Sequence, residues 1–306
     1  MQSAAMEALE SQPRLSKHFK EGGRMKVNIK RFVLLLLAGF IFSGMAAASA
    51  MAYDLVLVHG LTNKHHWSDS FLDECLERYG SGNVYAIYTN DSTQLWSRWI
   101  NGRKLNCCGP NNYSAGDDSV ARQSQLMRTK IRMLQQYRGL DQKFKIIAHS
   151  MGGLVARQYI YDNPNTVAGL VTLGTPHQGS PLAYVGDFVD FFVGADAAVK
   201  NLKPSWVKGY FNPNFPAPGP MADNGRIYTI RGDGDGWDCW GWAGELQVGW
   251  NSLFWIYWTD SDGAVPRAAS QISGATHIAT FWSYDHYELV RKSSVARKAL
   301  DYLPKW

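Results

Sequence analysis

The segment Phe144-Lys145-Ile146-Ile147-Ala148-His149-Ser150-Met151-Gly152-Gly153-Leu154-Val155-Ala156 passes from a short apolar stretch, through small residues, into a helix-forming one. A serine at such a junction sits on a sharp, strained turn that projects its hydroxyl from the edge of a sheet, and its neighbours must be small because larger side chains would collide. The pattern is G-x-S-x-G with Ala148 in place of the first glycine. Alanine is small enough to keep the geometry. The required strand precedes the turn and the required helix follows it, which sets this segment apart from a chance Ser-x-Gly at a helix start. Ser150 is therefore a candidate nucleophile.

From Asp54 the chain alternates short apolar runs with longer helical patterns, which predicts an α/β fold with a mostly parallel central sheet and helices on both faces. Strands are predicted over 54–59, 84–88, 144–147, 167–173, 226–230 and 278–282, and helices over 69–79, 120–138, 152–162 and 286–302. Two stretches break the alternation and read as insertions. The first, 91–117, holds Cys107, Cys108 and many Asn and Gly, and reads as a long loop pinned by a disulfide. The second, 180–224, has Leu182, Val185, Val189 and Phe192 at helical spacing beside Phe188 and Phe191. That helix is either lid-like or ordinary core, and both readings stand.

A serine hydroxyl is a weak nucleophile at neutral pH and needs an adjacent base, itself oriented by a carboxylate. On this kind of sheet the acid and then the histidine follow the serine in the chain. Only His177, His277 and His286 lie after Ser150. His177 leaves no room for an acid before it, and His277 begins the last predicted strand. His286 lies just past that strand's end and is preferred. Among Asp233, Asp235, Asp238, Asp260 and Asp262, the preferred acid is Asp262, in the turn Ser261-Asp262-Gly263-Ala264-Val265-Pro266; Asp235 and Asp260 come next. Two backbone N–H groups must hold the developing oxyanion. Met151, after the nucleophile, supplies one, and Leu61, after Val58-His59-Gly60 at the end of the first strand, is the candidate for the other.

Residues 1–50 read differently from residues 51–306. Lys26, Lys30 and Arg31 precede the apolar run 32–42, and Ala46-Ala47-Ala48-Ser49-Ala50 follows it. That is the pattern of a secretory signal peptide cleaved near Ala50, with Met25 as a candidate start, and the run is short for a bilayer span. The expected product is secreted or periplasmic and has no stable membrane span after cleavage. Residues 1–50 carry 7 basic and 3 acidic side chains of the chain's 31 and 26, so 24 and 23 remain beyond them. That near-neutral remainder argues against a nucleic-acid partner. Export makes Cys75, Cys107, Cys108 and Cys239 disulfide candidates, with Cys107 or Cys108 joined to Cys239 or Cys75, since bonding adjacent cysteines needs a strained ring. No zinc-like spacing occurs, and no G-x-G-x-x-G follows the first strand.

Taken together, His59-Gly60-Leu61, Ala148-His149-Ser150-Met151-Gly152, Leu173-Gly174-Thr175-Pro176-His177-Gln178-Gly179-Ser180, Asp262-Gly263 and Asp285-His286 resemble the secreted bacterial triacylglycerol lipases of the α/β-hydrolase fold. The resemblance spans roughly 54–300. It implies a carboxylester hydrolase acting through an acyl-enzyme on Ser150, on a lipid or other ester substrate at an interface. The same triad would serve a polyester depolymerase, a phospholipase or an acyltransferase. Some of those relatives bind a structural calcium near the histidine loop, where this chain has Asp285 and Glu288; no cofactor is expected and no ligand set is assigned. The stretch 232–258, with six tryptophans from Trp237 to Trp258, has no counterpart in the resemblance. Aromatics at that density either pack under a long insertion or line an acyl or polymer groove.

Overall fold

The computed structural model describes residues 52–63, 67–112, 115–185, 194–234 and 244–306. Residues 51–306 form a unit of their own. Its centre is one eight-stranded sheet in the order β3-β4-β2-β1-β5-β6-β7-β8. The strands are β1 (Asp54–Val58), β2 (Val84–Ile87), β3 (Leu95–Ile100), β4 (Arg103–Cys108), β5 (Phe144–His149), β6 (Val167–Leu173), β7 (Ile227–Asp233) and β8 (Thr276–Trp282). Every pairing is parallel except β3 with β4.

Both faces of the sheet are covered, which is why the central strands read as continuous apolar runs. Val56 and Val58 pack with α2 (Val120–Arg138) and α3 (Met151–Asp162). Leu55 and Leu57 point the other way, onto α1 (Asp69–Tyr79) and α5 (Ser293–Tyr302). Capping sets the bounds of α1 and α2. Ser68 and Ser119 accept the Phe71 and Arg122 N–H groups, and Gly80 and Gly139 follow the last turns at positive φ.

Three expectations are corrected. Within 91–117 the chain forms a β3–β4 hairpin rather than a long loop. Its two-residue turn is Asn101-Gly102, both at positive φ (46° and 75°), the conformation that Asn-Gly favours. The hairpin is tied to α1, since Asp73 accepts from Asn101 and Arg103 at 2.9 Å each. Second, the last helix starts at Ser293 rather than His286, after a short 3-10 turn Glu288–Val290. Just ahead of that helix the Val290 and Arg291 carbonyls accept from the Ser68 N–H and from the Ser68 and Ser70 hydroxyls, which ties this turn to the start of α1. Third, Cys75, Cys107 and Cys108 are buried free thiols, so no disulfide joins them. Successive strand residues face opposite ways, which puts Cys107 in the core cluster with Cys75 and Cys108 in the other. Cys239 lies outside the described residues.

The lid-like helix expected over 180–224 falls largely on 186–193, outside the described residues. Around it, Pro181–Tyr184 is a 3-10 turn, Asp196–Lys200 a short helix and 204–214 a continuous helical run. From α3, the fully buried Arg157 donates to Asn212 Oδ1 (3.1 Å) and to the Phe215 carbonyl, pinning that run to α3.

At the start of β1, Asp54 is buried and its Oδ2 accepts the Asp141 N–H at 3.0 Å; burial pushes its carboxyl up to about 6. The folded state therefore holds this proton more tightly than the unfolded chain, whose aspartates titrate near about 3.9. The contribution is fully present below pH ~4 and is lost as pH rises through about 6. Asp54→Asn keeps the acceptor and removes the titration. Urea midpoints followed from pH 4 to 7 should fall less steeply in the variant than in the parent, and parallel profiles would refute this assignment.

Candidate active site

Strand β5 ends at His149, and Ser150 links it to α3 with φ 52° and ψ −131°. Few non-glycine residues adopt this backbone, which costs on the order of 1–3 kcal/mol and persists only where neighbours enforce it. Here the enforcement is visible. The Ser150 N–H donates to the Leu173 carbonyl at 2.8 Å, and the Ser150 carbonyl accepts the Gly153 N–H at 3.0 Å. The glycines are required by close approach. A Cβ on Gly152 would run into the His59 carbonyl oxygen, one on Gly153 into the Thr175 hydroxyl, and one on Gly60 would lie 2.7 Å from the Ser150 Cβ.

The structure brings His286 and Asp262 together and places the other two candidate histidines, His177 and His277, elsewhere. His286 Nδ1 lies 2.8 Å from Asp262 Oδ2, and the His286 N–H donates to the Asp262 carbonyl, also at 2.8 Å. Asp262 Oδ1 accepts the Ala264 and Val265 N–H groups at 3.0 and 2.8 Å, so the carboxylate is held from both sides. Gly174 leaves room for the pair: a Cβ there would sit 2.9 Å from Asp262 Oδ2 and 3.0 Å from His286 Nδ1. His177 is fully buried; Arg157 donates to its Nδ1 at 3.3 Å, and burial holds its pKa well below the usual range. His277 contacts Thr229 and Thr280 at 3.1 and 3.0 Å. Asp233 and Asp260 are both taken by Arg267, at 2.8 and 3.2 Å. Asp235 and Asp238 lie outside the described residues.

Met151 is the first residue of α3, where a backbone N–H has no partner within the helix. Leu61 follows β1 through His59 and Gly60 and lines the same pocket as Ser150. His59 stiffens this loop. Its Nε2 accepts the Thr89 N–H at 2.9 Å, so its Nδ1 carries the proton and donates to the Gly60 carbonyl at 2.7 Å. Burial pushes the His59 pKa down to about 4, which keeps this neutral arrangement.

Asp285 and Glu288 are engaged in a reciprocal cap. Asp285 Oδ1 accepts the Tyr287 and Glu288 N–H groups at 2.8 Å each, while Glu288 Oε2 accepts the Asp285 N–H at 3.1 Å. Burial raises Asp285 to about 6. Among the described residues no group of three or more His, Cys, Asp or Glu side chains could hold a metal ion.

The profile of the family described as PGAP1-like alpha/beta domain matches residues 111–208. The chain is 29% identical over 148 residues to a triacylglycerol lipase of Pseudarthrobacter phenanthrenivorans, a span of 48% of this chain and 40% of that protein. It is equally similar to a triacylglycerol lipase of Burkholderia plantarii, of which 35% is covered. The matches thus span well under half the length of those curated relatives. Among solved structures, the mature form of the Bacillus licheniformis lipase BlEst2 superposes with a TM-score of 0.57 at 20% identity, covering 84% of this chain and 94% of that one. The chain has the α/β-hydrolase fold.

On this α/β-hydrolase scaffold Ser150 and His286 open onto one pocket whose walls are mostly apolar, among them Leu61, Ala183, Val199, Leu202, Leu246 and Val265. Leu246 comes from α4 (Glu245–Tyr257), which lies within the Trp-rich stretch. Helix α4 packs closely at Gly249, where a Cβ would run into the Gly263 carbonyl oxygen next to Asp262. At its far end Leu253 is buried but several large side chains are not. Trp255, Ile256 and Trp258 are 63, 60 and 79% exposed, which corrects the packing reading for these residues; Trp237, Trp240 and Trp242 lie outside the described residues.

Sequence reasoning missed the hairpin and His149. Asn101-Gly102 signalled the hairpin. His149 Nε2 lies 2.9 Å from the carbonyl oxygen of His286, a partner 137 residues away that no local pattern announces.

Proposed function

We propose that this chain is a serine carboxylester hydrolase of the triacylglycerol lipase type, exported through residues 1–50. One observation carries the reading: the strained Ser150 turn opens onto the same apolar pocket as His286, which is paired with Asp262. Similarity to the two triacylglycerol lipases supports it.

In this mechanism Ser150 Oγ attacks the ester carbonyl carbon while His286 Nε2 takes its proton. Asp262 Oδ2, on the Nδ1 side, fixes the tautomer and stabilises the imidazolium. The tetrahedral oxyanion is held by the Leu61 and Met151 N–H groups. His286 returns the proton to the departing alkoxide as the carbon–oxygen bond breaks, leaving the acyl group on Ser150. Water, deprotonated by His286, then attacks the acyl carbon, and His286 returns that proton to Ser150 Oγ as its bond to the acyl carbon breaks, which releases the carboxylic acid and restores the enzyme. Ala183, Val199 and Leu202 provide an apolar wall for the acyl chain.

Hydrolysis of p-nitrophenyl esters from short to long acyl chains tests the reading. Turnover should rise with chain length and vanish in Ser150→Ala; equal rates in the two proteins would overturn it. The exposed end of α4 offers apolar, aromatic contact with a lipid interface. Replacing Trp255 and Trp258 together by serine should lower hydrolysis of emulsified triglyceride by roughly tenfold or more while leaving dissolved short esters unaffected. An unchanged ratio of the two rates would remove the interfacial role.

A further inference from the structure

We propose that His149 is a positioning residue for His286, a role that rests on the reading of Ser150, His286 and Asp262 as the ester-hydrolysing set. His149 is 1% exposed, yet its ring reaches the pocket. A carbonyl oxygen only accepts, so the 2.9 Å contact with the His286 carbonyl places a proton on His149 Nε2 and makes His149 the donor. The two rings also lie against each other, with centroids 4.5 Å apart and planes 44° apart.

The geometry assigns this contact a task the other bonds do not perform. The His286 N–H and His286 Nδ1 both bind Asp262. Those two bonds fix His286 relative to Asp262, and neither reaches the nucleophile. His149 is the peptide neighbour of Ser150, at the end of β5. Its bond to the His286 carbonyl refers the base to the nucleophile directly, across 137 residues of chain. The loop that carries Leu61 converges on the same ring, since a Cβ on Gly60 would lie 3.1 Å from His149 Nδ1. One side chain thus meets the nucleophile turn, the histidine loop and the oxyanion loop.

Displacing a reacting group by about 1 Å can cost on the order of 100-fold in rate. The test uses the full chain and p-nitrophenyl esters. His149→Phe keeps an aromatic face and removes the donor, His149→Leu is a second donor-free variant, and His149→Gln places an amide N–H near the position of Nε2. We expect the donor-free variants to lose kcat by about 100-fold with KM within about twofold, and His149→Gln to recover most of that loss. Added to His286→Ala, His149→Phe should cost nothing more, because there is no base left to position. A purely structural role would lower the thermal midpoint and reduce activity equally in both backgrounds. Wild-type kcat in both donor-free variants, no recovery by glutamine, or an undiminished loss in the His286→Ala background would each overturn the proposal. Equal activity of the parent and Ser150→Ala would instead strike the underlying hydrolase reading, so the two failures are distinguishable.

Discussion

Ser150→Ala should lower kcat for ester hydrolysis by about 10⁴- to 10⁶-fold, the range found when a member of a serine–histidine–aspartate set is removed. His286→Ala should fall in the same range. Because the two act as one unit, the double variant should be little worse than either single one. Asp262→Asn leaves the pocket shape intact but presents an amide to His286 Nδ1, which favours the wrong tautomer and should cost about 10⁴-fold. Steady-state kinetics on one soluble ester, with thermal midpoints to confirm folding, decide the matter. Multiplicative losses in the double variant would mean that Ser150 and His286 do not act on the same step.

Gly152→Ala should be damaging out of proportion to the single methyl group it adds. The new Cβ would run into the His59 carbonyl oxygen, a backbone atom that cannot swing aside as a side-chain end could. Overpacking of this kind costs typically about 1–3 kcal/mol. Here the strain falls between the Ser150 turn and the loop leading to Leu61, so activity should drop further than stability. The measurement is kcat on a short dissolved ester set against the urea midpoint. An active protein of parental stability would show that the approach of α3 to the loop after β1 has slack.

Buried histidines and buried aspartates make stability respond to pH in opposite senses. His59 and His177 are buried in neutral form and pushed downward by desolvation, so the unfolded chain binds protons there more readily than the folded one. Stability from His59 is present above the unfolded value of about 6.5 and is lost as pH falls through about 4. Asp54 and Asp285, both raised to about 6, work in the opposite sense between pH ~4 and 6.

The α/β order and the Ser150 turn were legible because both are local. Strand β5, the small residues at 148 and 152–153, and the start of α3 occupy 13 consecutive positions, and steric limits there act between near neighbours. Strand β6 and helices α1 and α2 were legible to the residue because caps or breaks sit beside them in the chain. Reading 91–117 as a loop gave too much weight to its Asn and Gly, when two of them, Asn101 and Gly102, form a hairpin turn.

By itself the sequence determined the α/β order and the strand-to-helix turn that carries Ser150, and it singled out an acidic turn and a histidine that follow in order. Tertiary structure decided which distant groups meet. Arg267 occupies Asp233 and Asp260, while two backbone N–H groups and His286 converge on Asp262. The last helix starts only at Ser293, beyond the Arg291 carbonyl that Ser68 and Ser70 bind, and His286 lies ahead of it in a loop. His149 reaches the His286 carbonyl because β5 and the histidine loop are adjacent only after the sheet has formed. Local sterics can be read from neighbours in the chain, but a hydrogen bond needs its partner within about 3 Å, and only the folded sheet brings residues more than 100 positions apart that close.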